Sequence, residues 1–388
     1  MKKRILFVLD ELNIGGVEKS FISLINNIPA DKYDIDLGLI FNEGELKKYI
    51  PKHVNVFEIK SLQDFVLTTR DKKKYIMGLI SQFRFLRLCK LTYLSIIAKI
   101  TKSSIPVYRY FLDNNKDNLS TYDVALSFQG PQEFADYYVS HLVNAKKKIG
   151  WIHFDIKAFN ISKKSILRNY SRFDHIVLVS NQAKANFDET YPVFANKTEV
   201  ILNIINSSEI LRAAEDHCEL QAITDVKRIV TVGRVSEEKG QRQAIKAASI
   251  LKDKGFKFKW FFVGDGPDMQ VCADLVKTLG LNDYIKFVGA STNPYTYMKN
   301  SDIYVQPSLH EGYGITVGEA KLFGMPIVAS NFSGAKEQLG NIRNAIIVEE
   351  SNPQLIADAI IKAFDLERIS PEYKGNLPQI ERLEEIFG

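Results

Sequence analysis

Two carboxylates, Glu311 and Glu319, are separated by seven residues in His310-Glu311-Gly312-Tyr313-Gly314-Ile315-Thr316-Val317-Gly318-Glu319-Ala320. The run before them, Asp302-Ile303-Tyr304-Val305-Gln306-Pro307-Ser308, reads as a buried strand entering a loop, and apolar or small residues from Ile315 to Phe323 recur at helical spacing. This pattern puts Glu311 on the loop at a strand's carboxyl end and Glu319 one or two turns into the next helix. Gly312 and Gly314 let the backbone approach a ligand, and the N–H groups of a helix start suit an anion. A carboxylate accepts from two hydroxyls at once, so the pair suits a polyhydroxylated ligand such as ribose or a hexose. The same two residues also fit an ordinary helix-start carboxylate beside a solvated one.

Other groups with chemical potential sit at comparable places. Arg234 and Lys239 share the loop Gly233-Arg234-Val235-Ser236-Glu237-Glu238-Lys239-Gly240, which follows the strand Arg228–Val232. Two cations on a glycine loop suit a diphosphate, because each neutralises phosphate oxygens and stabilises a departing dianion. The strand Phe258–Val263 ends in Gly264-Asp265-Gly266-Pro267, with Pro267 placed to begin a helix. Near the amino end, Arg4–Leu9 runs into Gly15-Gly16 and then into the helical pattern Phe21, Leu24, Ile25, Ile28. Strand, glycine loop and helix in that order present N–H groups to a phosphate, although a Gly-Gly pair alone also marks a plain turn. His153 and Asp155 follow the strand that ends at Trp151. The imidazole has the chemistry to touch a sugar hydroxyl or a reacting group, and equally to pack or cap beside its aromatic neighbours.

The elements that position these groups alternate along 388 residues, too many for one ordinary core. Further strands are expected at Ile35–Ile40, Val54–Ile59, Val124–Phe128, Lys148–Trp151, Ile176–Val179 and Val200–Leu202, and later at Ile285–Val288, Ile303–Val305, Ile327–Ala329 and Ala345–Val348. Helical stretches separate them, the pattern of mostly parallel sheets covered on both faces. The reading is α/β, two Rossmann-like doubly wound units facing a cleft, residues 1–202 and residues 203–368, followed by a tail at 369–388. Asn206-Ser207-Ser208 and a mixed helix mark the junction. Hydrophobic residues at 45% and charged ones at 25% give an ordinary globular balance.

Cys89, Cys218 and Cys272 lie far apart without metal-ligand spacing, which suits a reduced cytoplasmic protein. The start Met1-Lys2-Lys3-Arg4 resembles a signal peptide, but its apolar run stops at Asp10 and Glu11 and reads as a first strand. No run of apolar residues is long enough to span a bilayer. The net charge of +5 does not indicate a nucleic-acid binder, yet the segment Arg70 to Leu112 carries ten Lys or Arg against one acid, Asp71. In it Ile76, Leu79, Ile80, Phe83 and Leu86 follow helical spacing, resumed by Leu91, Leu94 and Ile97. Such a basic, aromatic-rich segment either lies on an anionic membrane surface or packs as a helix pair on the sheet.

Taken together, Glu311-x7-Glu319, Gly233-Arg234 with Lys239-Gly240, and Gly264-Asp265-Gly266-Pro267 resemble the retaining nucleotide-sugar glycosyltransferases of the GT-B fold, family four, known as glycosyl transferases group 1. The resemblance runs from Gly15-Gly16 to about Phe364. It implies that Arg234 and Lys239 bind the donor diphosphate and Glu319 the ribose. It implies that Glu311 and the N–H groups of Gly312, Tyr313, Gly314 and Ile315 hold the transferred sugar. Gly15 and Gly16 would close over the phosphates, Gly233, Gly264 and Val288 would line the donor site, and His153 would touch the sugar near its reacting carbon. The segment Asn203-Ile204-Ile205-Asn206 departs from the family's Asn-Gly-Ile-Asp, and the resemblance implies that the tail at 369–388, with Leu377 to Ile386 as its helix, returns to the first unit. The implied reaction moves a hexose or N-acetylhexosamine from a nucleoside diphosphate, UDP favoured, without metal or other cofactor. The implied acceptor is a lipid-linked glycan of bacterial surface polysaccharide synthesis, reached in the cytoplasm or at the inner face of the cell membrane. A phosphorylase of the same fold, betrayed by the visible band of a pyridoxal group, or a non-catalytic nucleotide-sugar binder would use the same motifs.

Overall fold

The computed structural model describes residues 2–63, 66, 72–101, 105–112, 121–158, 161–371 and 377–388. Of the basic segment, Arg70, Asp71 and Lys102 lie outside the described residues, as do the side chains of Lys72, Lys74 and Tyr108. The strands are β1 Lys3–Leu9, β2 Tyr33–Leu39, β3 Asn55–Glu58, β4 Tyr122–Gly130, β5 Ala145–Ile152, β6 His175–Leu178 and β7 Thr198–Val200 in a first sheet. A second sheet holds β8 Lys227–Val232, β9 Phe258–Val263, β10 Ile285–Gly289, β11 Ile303–Gln306, β12 Ile327–Ser330 and β13 Ala345–Val348. The expected strands are present, except that β7 ends at Val200, where the expected Val200–Leu202 began, and all strand pairs are parallel.

The strand orders are β3-β2-β1-β4-β5-β6-β7 and β10-β9-β8-β11-β12-β13. The strand order of each sheet therefore reverses once, between β1 and β4 and between β8 and β11, and leaves a crevice outside the carboxyl ends there. Alternation builds a core on each face: Ile5, Phe7 and Leu9 enter one cluster of the first unit, and Leu6 and Val8 the other. In the second unit Trp260 and Phe262 point to one side, Phe261 and Val263 to the other. Strands buried on both faces must be apolar throughout, which is why they read so plainly.

Helix α1, Gly16–Asn27, buries Phe21, Leu24 and Ile25 on the first sheet. Three helices follow, α2 Lys72–Ser81, α3 Phe85–Thr101 and α4 Ile105–Leu112. Both readings of the basic segment find something here. Leu79, Phe111 and Leu112 are buried, and Tyr75, Leu91 and Val107 pack on the same core. Of the periodic set Ile76, Leu79, Ile80, Phe83 and Leu86, however, only Leu79 is buried, and α2 stops at Ser81.

Pro267 does not open a helix. Gly266 lies against the backbone of Val235, Asp268 N donates to Val235 O at 3.1 Å, and the helix begins at Met269. Helix α5, Ile315–Lys321, carries Glu319 in its second turn, on the far side of the loop after β11. Helix α6, Leu377–Phe387, buries Ile380, Leu383, Ile386 and Phe387 in the first unit's core, with Lys32 Nζ 2.9 Å from Glu384.

Candidate active site

The crevice of the second sheet holds three of the residues singled out in the sequence. Because β8 and β11 are neighbours, the loops that leave them run side by side, and Leu309 N and His310 N both donate to Glu238 O, at 2.8 and 3.2 Å. Across this junction Lys239 Nζ donates to Glu311 Oε1 at 2.7 Å. Gln306 Nε2 and Ser308 Oγ donate to the same oxygen at 3.1 and 3.2 Å. Gln306 is buried at the end of β11, where its Oε1 accepts from Thr316 Oγ1 at 3.1 Å and from the Tyr304 hydroxyl. A buried network with each member paired holds its carboxylate in one place. Arg234, by contrast, is exposed, and its guanidinium makes no hydrogen bond or ion pair among the described residues. A cation so placed meets an incoming anion without first giving up a protein partner.

Glycines make the close approaches. Gly240, at φ 71°, lies where a Cβ would come within 1.9 Å of Pro307 O, so the Lys239 loop can seat against the β11 loop only without a side chain. Gly312 lets the two units touch: a Cβ there would meet His153 O at 2.0 Å. Gly233, Gly264 and Val288 lie at the carboxyl ends of β8, β9 and β10, where Gly233 N donates to Val263 O at 3.0 Å and Gly264 N to Gly289 O at 2.8 Å. Tyr313 reaches across to pack on the first unit's core, while Gln338 Nε2 donates to Tyr313 O and to Gly314 O. Gly16 faces Ile315, with 3.6 Å between a Cβ there and Ile315 Cδ1.

Glu319 sits in different surroundings from Glu311. It is 2% exposed, accepts from the Tyr295 hydroxyl at 3.0 Å, and lies 3.9 Å from Lys19 Nζ of the first unit. Its Oε2 has no hydrogen-bond partner among the described residues. Lys19 also stands over the Tyr295 ring, 5.0 Å from its centroid. The three residues line a cavity of about 520 Å³ between the units, together with Tyr49, Arg212 and Asn293. Burial, then the adjacent Glu319 charge, hold the Tyr295 hydroxyl far above its ordinary value, so it stays a donor. Lys19 and Tyr295 escaped the sequence reading. The signal available was slight: Lys19 follows Gly15-Gly16 by three residues, and Tyr295 sits in a loop-like stretch after Pro294.

His153 is placed inside, not on, the opening. It is 7% exposed, stacks on Trp151 with 5.9 Å between centroids, and tilts against Phe128 at 4.6 Å. Burial pushes its pKa down to about 3, so the ring is neutral at physiological pH. Asn203 lies beside it and accepts from Ser20 Oγ at 2.7 Å, which ties α1 to the crossing chain. Asp155 accepts from Asn186 Nδ2 at 2.6 Å and from Ser333 Oγ at 2.5 Å, and so fastens the two units together.

At the first unit's glycine loop the Glu18 carboxylate folds back over Gly15, where a Cβ would lie 2.1 Å from Oε2. Gln129 Nε2 donates to it at 2.6 Å. Burial foremost, with the charges of Glu11 and Asp10 adding, pushes Glu18 up to about 7. The folded-state value lies above the unfolded one, so ionising Glu18 costs folding free energy. That cost is absent below about pH 4.5, grows as pH rises, and is complete above about pH 7, at up to roughly 3 kcal/mol. Glu18→Gln should therefore raise the melting temperature at pH 8 and change it little at pH 5. An equal shift at both values would disconnect the gain from ionisation.

Residues 214–376 match the family model of the glycosyl transferases group 1. Over 99% of this chain and 95% of the relative, the sequence is 24% identical to an uncharacterized glycosyltransferase of Haemophilus influenzae. The poly(ribitol-phosphate) alpha-N-acetylglucosaminyltransferase of Staphylococcus aureus is 22% identical over 73% of this chain and 56% of its own length. The chain spans about a third of the 2-deoxystreptamine glucosyltransferase of Streptomyces kanamyceticus, at 31% identity over 34% of this chain and 35% of that one. Among solved structures, HepE of Anabaena in complex with UDP and glucose superposes with a TM-score of 0.72 at 17% identity, covering 99% of both chains. TarM of S. aureus gives 0.66 at 14%, over 99% of this chain and 95% of that one. Residues 214–376 thus match the glycosyl transferases group 1, and the whole chain has the GT-B fold, two facing doubly wound units.

Proposed function

We propose that the protein moves a hexose or N-acetylhexosamine from a nucleoside diphosphate, UDP favoured, to the hydroxyl of a lipid-linked glycan, with retention at the anomeric carbon and without metal. The observation that carries this reading is the pairing of Lys239 with Glu311 at the strand-order reversal of the second sheet, beside an exposed Arg234 that has no hydrogen bond or ion pair among the described residues. A diphosphate entering there takes over Lys239 and Arg234, and Glu311 is released to accept hydroxyls of the transferred sugar. Glu319 takes the ribose on the wall of the cavity, with Lys19 and Tyr295 beside it. Gly15 and Gly16 come over the phosphates from the first unit, and neutral His153 lies close to the sugar.

The reaction is a front-face displacement. The bond from the anomeric carbon to the diphosphate oxygen breaks, the acceptor oxygen bonds to that carbon on the same face, and the acceptor proton passes to the departing phosphate. Arg234 and Lys239 stabilise the charge that gathers on the leaving group, and the loops supply position. The glutamates then bind hydroxyls and are not the acid and base of a glycosidase. Supporting the donor and acceptor classes are HepE, which holds UDP and glucose, and a Campylobacter jejuni relative named for transfer to a diphospho-undecaprenol glycan, 24% identical over 55% of this chain. The test is the proton NMR spectrum of the product: an α-linked donor should give an α-linked product, and a β-linked product would contradict retention.

A further inference from the structure

The hairpin of α2 and α3 has two apolar sides, and the core uses one. Leu79 is buried, Tyr75 and Leu91 pack on the same cluster, and the Arg87 guanidinium covers the rings of Tyr75 and Phe111 at 6.0 and 5.9 Å. The other side is bare. Eight of the fifteen exposed large apolar side chains among the described residues fall between Met77 and Ile100, a density far above single scattered residues. They concentrate at the turn, where Phe83 is 81% exposed and Leu86 89%. Phe83 is also the one non-glycine residue at positive φ among the described residues, 54°, a backbone an aromatic side chain rarely adopts. Its ring meets Phe85 edge to face at 6.2 Å and otherwise stands out.

Charge selects what covers this side. Residues 72–112 contain nine Lys or Arg and no Asp or Glu. Lys73, Arg84, Lys90 and Lys99 are exposed. Neither helix is long and apolar enough to cross a bilayer. Rings and aliphatic groups at a hairpin turn, flanked by cations and free of acids, match the boundary of an anionic bilayer, where apolar groups reach the acyl region and cations meet lipid phosphates. We propose that the turn between α2 and α3 inserts Phe83, Phe85 and Leu86 into the headgroup boundary of an anionic membrane, with Lys73, Arg84 and Lys99 on the phosphates. The cleft then works beside the surface that carries a lipid-linked acceptor. The purpose of this surface rests on the transferase reading; its existence does not.

Cys89, exposed on α3 while Cys218 and Cys272 are buried, takes an environment-sensitive fluorophore. With vesicles of phosphatidylcholine and phosphatidylglycerol the emission should shift to the blue and the protein should sediment. With phosphatidylcholine alone, or in high salt, both signals should fall. Lys73→Gln with Lys99→Gln should weaken vesicle binding about fivefold per cation removed. Phe83→Gly suits the left-handed backbone, so it should keep or raise the melting temperature while binding drops about tenfold or more. Nucleoside diphosphate release from donor alone should be unchanged in all these variants. A wild type that ignores anionic vesicles at low salt overturns the proposal, as does lipid-free self-association that Phe83→Gly abolishes. Vesicle binding without turnover of any nucleotide sugar would instead overturn the transferase reading and leave the membrane surface standing.

Discussion

Arg234→Ala should lower turnover by about a hundredfold or more while leaving the melting temperature nearly unchanged. Its guanidinium is exposed and has no hydrogen bond or ion pair to lose among the described residues, so on the proposed reading the effect falls on charge developing in the leaving diphosphate. Lys239→Ala should cost a similar factor in rate and, unlike Arg234→Ala, some stability. It strips the cation from Glu311, whose side chain is 12% exposed and stays tied to Gln306 and Ser308. A buried carboxylate without its cation is unfavourable. Steady-state kinetics beside thermal unfolding separates the two variants. Rates within a few-fold of wild type in both would remove the diphosphate from this loop.

The two glutamates should part company in calorimetry. Glu319→Ala should weaken UDP by about tenfold or more, because a charge-assisted hydrogen bond to a ribose hydroxyl contributes roughly 1.5–3 kcal/mol. Glu311→Ala should bind UDP within about threefold of wild type yet use the donor poorly, since its proposed partner is the sugar that UDP lacks. Their surroundings differ in the same sense: Glu319 lines the cavity with Lys19 and Tyr295, and Glu311 stands at the Lys239 loop. The reverse pattern would mean that their roles are exchanged.

The central strands were legible because they are buried on both faces and must be apolar along their length, as in Ile5 to Leu9 or Phe258 to Val263. The basic helices were less so. Periodicity in Ile76, Leu79, Ile80, Phe83 and Leu86 reports a helical stripe, not what covers it, and most of that stripe is bare. Pro267 misled because hydrogen bonds to Val235, from a different loop, hold the turn that precedes Met269. In the site, Arg234, Lys239, Glu311 and Glu319 stood out by type and spacing. Contact between Lys239 and Glu311 depends on β8 lying next to β11, which spacing does not encode. Lys19 was hidden for the same reason: only the facing of the two units brings it to Glu319.

The central claim, that the cleft breaks the bond between a sugar and a nucleoside diphosphate, is tested most directly by nucleoside diphosphate release. Purified wild type and Arg234→Ala are each supplied with a panel of UDP-, GDP- and ADP-sugars, with lipid-linked glycan in anionic vesicles as acceptor. The account predicts release from a narrow set of donors, UDP-sugars foremost, stimulated by acceptor and nearly absent in Arg234→Ala. Release that is equal in the two proteins, or no release from any donor by a folded wild type that binds UDP, would contradict it.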